Sequence, residues 1–84
     1  MTRYTVVWTR DALDELVDLW VSSGDRRMVT LAVNSIDHQL AQDPATQGIE
    51  MSESMRALFV PPLKVLFCVR EDDRIAEVVL VRRA

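Results

Sequence analysis

Residues 56–84 read RALFVPPLKVLFCVREDDRIAEVVLVRRA, and this stretch decides the fold. Leu63 to Arg70 and Ile75 to Val81 are two runs of β-branched, aromatic and other apolar residues on either side of an acidic turn. Such runs, bounded by turn residues, predict a β-hairpin. Taking Asp72-Asp73 as the turn pair sets Phe67 opposite Val78 and Val65 opposite Leu80. Leu63, Val65, Phe67 and Val69 then share a face with Ala76, Val78 and Leu80. That face is wholly apolar and must be covered. The other face collects Lys64, Leu66, Cys68 and Arg70 with Ile75, Glu77, Val79, Val81 and Arg83. Arg56 to Val60 predicts a preceding strand. Pro61-Pro62 cannot donate to a ladder, so the diproline belongs in a turn or at an edge. Together these form a three-stranded antiparallel meander.

What covers the apolar face lies upstream. Tyr4 to Trp8 (YTVVW) reads as a short strand. Thr9 or Asp11 can cap a helix after it, with acids in the first turns that complement the helix dipole. Leu13, Leu16, Val17 and Trp20 recur at helical spacing and predict its apolar face. Ser22-Ser23-Gly24 ends it, with Gly24 as a left-handed cap. Asp25 caps a second helix, whose stripe is Val29, Ala32, Val33, Ile36 and Leu40. Pro44 stops that helix, because the residue before proline resists α geometry. The short link between the two makes an antiparallel helix hairpin. Residues 43–55 (DPATQGIEMSESM) lack periodicity and read as a loop bent at Gly48. The expected class is α+β: a short N-terminal strand, a helix hairpin, then a three-stranded meander with both helices on one sheet face. The predicted core includes Val33, Ile36, Phe67, Val78 and Leu80.

At 84 residues the chain is read as a single domain over 1–84, large enough for one small core without staples. Its one cysteine, Cys68, excludes an internal disulfide and fits a reducing compartment. No apolar run resembles a signal peptide or approaches the ~20 residues of a membrane span, which points to the cytoplasm. Net charge is -3, so the molecule as a whole has no general pull on nucleic acid. The charge is uneven. Residues 1–55 hold four arginines against nine acids, or -5, and residues 56–84 hold six cations against four acids, or +2. An acidic helical half and a mildly basic sheet half suggest two different faces, the alternative being chance asymmetry in a small protein.

The residues exclude several chemistries. One histidine and one cysteine make no metal constellation. His38 falls opposite the apolar stripe of its helix and reads as a surface residue. Cys68 has no base partner in sequence and reads as a small strand hydrophobe. No phosphate-cradling glycine loop or nucleophile elbow is present. The cations of the sheet half remain. In the register above Lys64 and Arg83 share a face near one end, Arg82 projects to the other face, and Arg56 enters from the neighbouring strand. Clustered cations on a sheet can hold a phosphate and stabilise the charge that develops in phosphodiester cleavage. The alternative is that they only keep a sheet edge soluble.

YTVVWTRDALDEL at the start, the helix hairpin, and RALFVPPLKVLFCVREDDRIAEVVLVRR at the end resemble the RelE/ParE toxin superfamily over nearly the whole chain. Arg56, Lys64, Glu71-Asp72-Asp73 and Arg82-Arg83 occupy places where that family carries a first-strand arginine, a middle-strand cation, an acidic turn and a basic end. The resemblance implies the toxin of a type II toxin–antitoxin module, neutralised by a cognate antitoxin. Its targets would be translation, through mRNA cleavage on the ribosome, or DNA gyrase. It implies no cofactor and no metal. On it, Lys64, Arg83 and Arg56 are the candidate catalytic residues and Arg82 a candidate nucleic-acid contact. Leu66, Val79 and Val81 are candidate partner contacts on the open sheet face, and a homodimer is a further option. The family's nucleases use several sheet lysines and arginines, often with a C-terminal tyrosine or histidine. This sequence has one lysine, Arg83-Ala84 at that place, and Glu50 and Glu53 in the 43–55 loop. A second reading is therefore a non-catalytic module whose sheet face is simply an interface, as exposed apolar surface marks partner sites.

Overall fold

A computed structural model describes residues 3–52 and 54–84, so Glu53 lies outside the described residues. The chain runs β1 (Thr5–Trp8), α1 (Arg10–Ser22), α2 (Arg26–Gln42), a 3-10 turn (Pro44–Thr46), β2 (Ile49–Ser52), β3 (Met55–Val60), β4 (Leu63–Arg70) and β5 (Ile75–Arg83). Five strands form one sheet in the order β1-β5-β4-β3-β2. From β2 to β5 each strand is antiparallel to the next, and β1 is parallel to β5, with Val6 beside Ala76 and Trp8 beside Val78.

The caps form as the sequence dictates. Thr9 Oγ1 accepts from the Ala12 amide at 3.2 Å, and Asp25 Oδ1 accepts from the Met28 amide at 3.2 Å. Each satisfies an amide that has no partner inside its helix. The expected left-handed Gly24 is not found: among the described residues only Gly48 and Arg74 have positive φ. Ser23 leaves α1 in extended geometry instead. The Arg26 guanidinium donates to the Trp20 and Val21 carbonyls, so a side chain does what a glycine turn would have done. Arg26 also stacks on the Trp20 ring, 4.6 Å from its centroid.

The core lies between the helices and one sheet face. Val29, Ala32, Ile36 and Leu40 of α2 and Ala12 of α1 pack with Leu58, Leu63, Val65, Phe67, Ala76, Val78 and Val81, all buried. Val33 packs at the margin. The Trp8 indole N–H donates to Asp37 Oδ1 at 2.9 Å and ties β1 to α2.

Three further expectations need correction. The first concerns β5. Phe67 pairs with Val78 as predicted, but Leu66 pairs with Leu80, which leaves Val79 as an extra residue in a β-bulge. A bulge flips the alternation beyond it. Val81 is therefore fully buried, and Leu80 turns to the open face at intermediate exposure. The second concerns α1. Ala12, Leu16 and Leu19 face the sheet, while Leu13, Val17 and Trp20 stay 47%, 58% and 40% exposed. Ala12, at 0% exposure, sits where the chain passes directly from β1 into α1, and its small side chain allows the close approach. The third concerns residues 43–55. Gly48 does bend the chain, with φ 68°, but residues 49–52 then form β2, a fifth strand at the sheet edge. Its Ile49 pairs with Ala57 of β3.

The β4–β5 turn occupies Glu71 to Arg74, where the Arg74 amide donates to the Glu71 carbonyl at 3.2 Å. It is longer than the two residues expected, yet Arg70 still pairs with Ile75.

Candidate functional site

The sheet face away from the helices is the candidate surface. Register fixes its rows. Phe59 of β3, Lys64 of β4 and Arg82 of β5 are neighbours across one row. Ala57, Leu66 and Leu80 form the next, and Ile49 of β2 extends it. Ile49, Met51 and Phe59 are 71%, 62% and 61% exposed. With Gly48, Ala57, Lys64 and Leu66 they line an open, mainly apolar groove beside the β2 edge. Further along the face, Cys68 sits opposite Glu77, its Sγ 3.7 Å from Met55 Sδ, and Arg70 bonds Glu77 at 3.1 Å.

The candidate cations do not form one cluster. Lys64 and Arg82 are cross-strand neighbours on the open face. Arg83 pairs with Leu63, whose side chain is in the core, so the bulge carries Arg83 to the rim of the helix-covered face. Arg56 pairs with Phe67, also a core residue, and so belongs to that same face. Its guanidinium donates to the Gln47 carbonyl at 2.8 Å and the Gly48 carbonyl at 3.3 Å, and approaches Glu50 at 3.8 Å. Arg56 thus pins the turn that leads into β2. Arg82 ion-pairs with Glu15 of α1, and Arg70 with Glu77. Lys64 has no ion pair among the described residues.

Of the candidate partner contacts, Leu66 faces the open groove and Val79 occupies the bulge. Val81 is in the core and does not reach the open face, because the bulge reverses its side. Sequence reasoning missed Phe59, Ile49 and Met51. A signal for the last two was available: Gly48 starts the segment, and Ile49 and Met51 alternate with Glu50 and Ser52, as on a half-exposed strand. Chemically the face can accept apolar side chains in its groove and one anionic group at Lys64. Among the described residues no three histidine, cysteine or acidic side chains are grouped to hold a metal ion, and no helix is long and apolar enough to cross a membrane.

This arrangement, a helix hairpin on one face of a five-stranded mixed sheet with the other face open, is the fold of the RelE/ParE-type toxins. Three solved structures share it. A chain of the toxin–antitoxin complex RelBE2 from Mycobacterium tuberculosis superposes with a TM-score of 0.83 at 17% identity, over 100% of this chain and 94% of that one. A chain of the archaeal RelE–RelB complex from Pyrococcus horikoshii gives 0.70 at 13% identity, over 99% and 96%. A chain of the chromosomal ParDE toxin–antitoxin system of P. aeruginosa gives 0.64 at 23% identity, over 98% and 97%. Neither a family model nor a curated protein matches the sequence.

Proposed function

We propose that the chain is the toxin component of a type II toxin–antitoxin module, acting in the bacterial or archaeal cytoplasm and held inactive by a cognate antitoxin. The observation that carries this reading is the open sheet face: Ile49, Met51 and Phe59 stand exposed around Lys64 on a RelE/ParE-type fold. Exposed apolar groups of this number on so small a chain call for a protein partner. An extended antitoxin segment suits the site, because β2 offers a free edge and the groove takes alternate side chains. The structural neighbours, all solved as toxin–antitoxin structures, support the same reading.

The target is translation or DNA gyrase. If the chain cleaves mRNA, Lys64 holds the phosphate from the open face, Arg83 and Arg56 act from its rim, and Arg82 contacts the nucleic acid on releasing Glu15. A second reading, a non-catalytic binding module, is favoured by the engagement of Arg56, Arg70 and Arg82 in contacts within the chain.

Induced expression in bacteria decides between them. Growth should arrest, and co-expression of the adjacent small gene should relieve the arrest. Loss of intact mRNA indicates cleavage, and altered plasmid supercoiling indicates gyrase. Arrest that survives Lys64→Ala/Arg83→Ala removes both residues from the mechanism. A protein that neither arrests growth nor binds the neighbouring gene product refutes the toxin reading.

A further inference from the structure

Arg82 belongs to one face of the sheet and is held by an acid from the other. It lies directly across from Lys64, whose row points to the open face. Its guanidinium nevertheless pairs with Glu15 of α1, a helix that packs on β5 from the covered side. The route between the two faces is the outer edge of β5. Strand β1 accompanies β5 only from Ile75 to Val78, where the Thr9 amide donates to the Val78 carbonyl at 2.9 Å and the chain turns into α1. Strand β5 runs on to Arg83, and among the described residues no strand lies beside that stretch of its edge. Arg82 reaches Glu15 round this edge, and its Nη1 also donates to the Val81 carbonyl at 3.0 Å.

We propose that Glu15 is a built-in competitor for the phosphate site. It draws Arg82 aside in the free chain and gives it up when a phosphodiester of single-stranded RNA binds at Lys64. This rests on the reading of the open face as an RNA-binding surface, and adds to it the group that regulates its second cation. Two cations directly opposite each other on a sheet repel, so Lys64 and Arg82 stand side by side at a cost until an anion joins them. In the free chain that anion is Glu15, and it takes Arg82 alone: Lys64 has no ion pair among the described residues. A carboxylate and a phosphate each offer a guanidinium two oxygens, so they compete for the same donors. The strength of the pair decides whether it can open. Its side chains are 51% and 34% exposed, and an exposed pair biases an equilibrium by about fivefold at most. That is enough to weaken a first contact with RNA and too little to prevent release.

The test is an NMR titration of the purified, isotope-labelled full chain with a short single-stranded oligoribonucleotide at low salt. Affinity is read from the amide shifts of Lys64 and Arg82. Wild type should bind. Glu15→Gln should bind about threefold more tightly, the factor that an exposed ion pair withholds. Asp18→Asn, an equal change of charge at an exposed position of the same helix, should stay near wild type. Arg82→Ala should weaken binding, and adding Glu15→Gln to it should bring no gain, since the acid then has nothing to hold. Circular dichroism checks that each variant keeps its fold. Glu15→Gln binding no tighter than wild type overturns the proposal, whatever its effect on stability, and marks a purely structural pair. An equal gain from Asp18→Asn overturns it, because net charge alone would explain the effect. So does a gain from Glu15→Gln that persists without Arg82. No shift at Lys64 or Arg82 removes RNA from this face and the competition with it. Growth arrest, and its relief by the neighbouring gene product, test the toxin reading separately.

Discussion

The β5 bulge makes adjacent residues exchange roles, and paired alanine substitutions can measure this. Val81 is fully buried between β4 and the helices, whereas Leu80 faces the uncovered side of the sheet. Val81→Ala removes two buried carbons, about 1.6 kcal/mol at ~0.8 kcal/mol each. A residual cavity of roughly 40 Å³ adds about 1 kcal/mol, so the expected loss is ~2–3 kcal/mol. Leu80→Ala removes three carbons, but from a partly wet surface where no closed cavity forms. Its loss should stay near 1 kcal/mol or below. For a domain of this size total stability is on the order of 5–10 kcal/mol, so the two variants separate cleanly in urea unfolding. The smaller residue should cost more than the larger. A loss from Leu80→Ala equal to or above that from Val81→Ala would mean the hairpin is regular and the bulge is absent. Arg83 would then return to the open face beside Lys64.

Phe67→Ala should cost ~3–5 kcal/mol, since Phe67 is fully buried at the centre of β4, and thermal unfolding would show most of the protein's margin gone. A loss under about 1 kcal/mol would place Phe67 outside the core. Gly48→Ala should destabilise by at least ~2 kcal/mol, because φ is positive there and a Cβ would collide with the Ala57 carbonyl oxygen. Hydrogen exchange should show that damage first in β2 and β3, and a neutral substitution would refute the close approach.

Much of this fold could be read from residues that permit one choice. Thr9 and Asp25 are good caps with apolar periodicity after them. The stripe from Val29 to Leu40 has no competing stripe on its helix. Alpha helix 1 is different. Ala12, Leu13, Leu16, Val17, Leu19, Trp20 and Val21 contain two overlapping apolar faces about one residue apart. Periodicity cannot choose between them, and the direction in which the chain leaves β1 does. The bulge was hidden for a similar reason: Val78-Val79-Leu80-Val81 is apolar throughout, so no polar residue marks where alternation slips. The candidate site inherits that ambiguity. Which cations share a face with Lys64 depends on one inserted residue, and the structure answers Arg82, where regular pairing answers Arg83. The exposed Phe59 needed the same knowledge, since within RALFV its neighbour Leu58 is equally apolar and only the pairing with β4 separates them.

The pairing of β1 with β5 joins residues 5–8 to residues 75–78, nearly the whole chain apart. Strand β5 is also the central partner of β4 and carries Val78 and Val81 into the core. A nascent chain that has emerged only as far as the diproline therefore holds two helices with Leu58 alone of the buried sheet residues, and a first strand with no neighbour. Closing so long a loop comes late, after the local helices and the β3–β4 hairpin. Synthesis interrupted before residue 75 should leave β2, β3 and β4 without the strand that joins them to β1, an incomplete core open to proteases. The sheet is complete only once this last strand has been made.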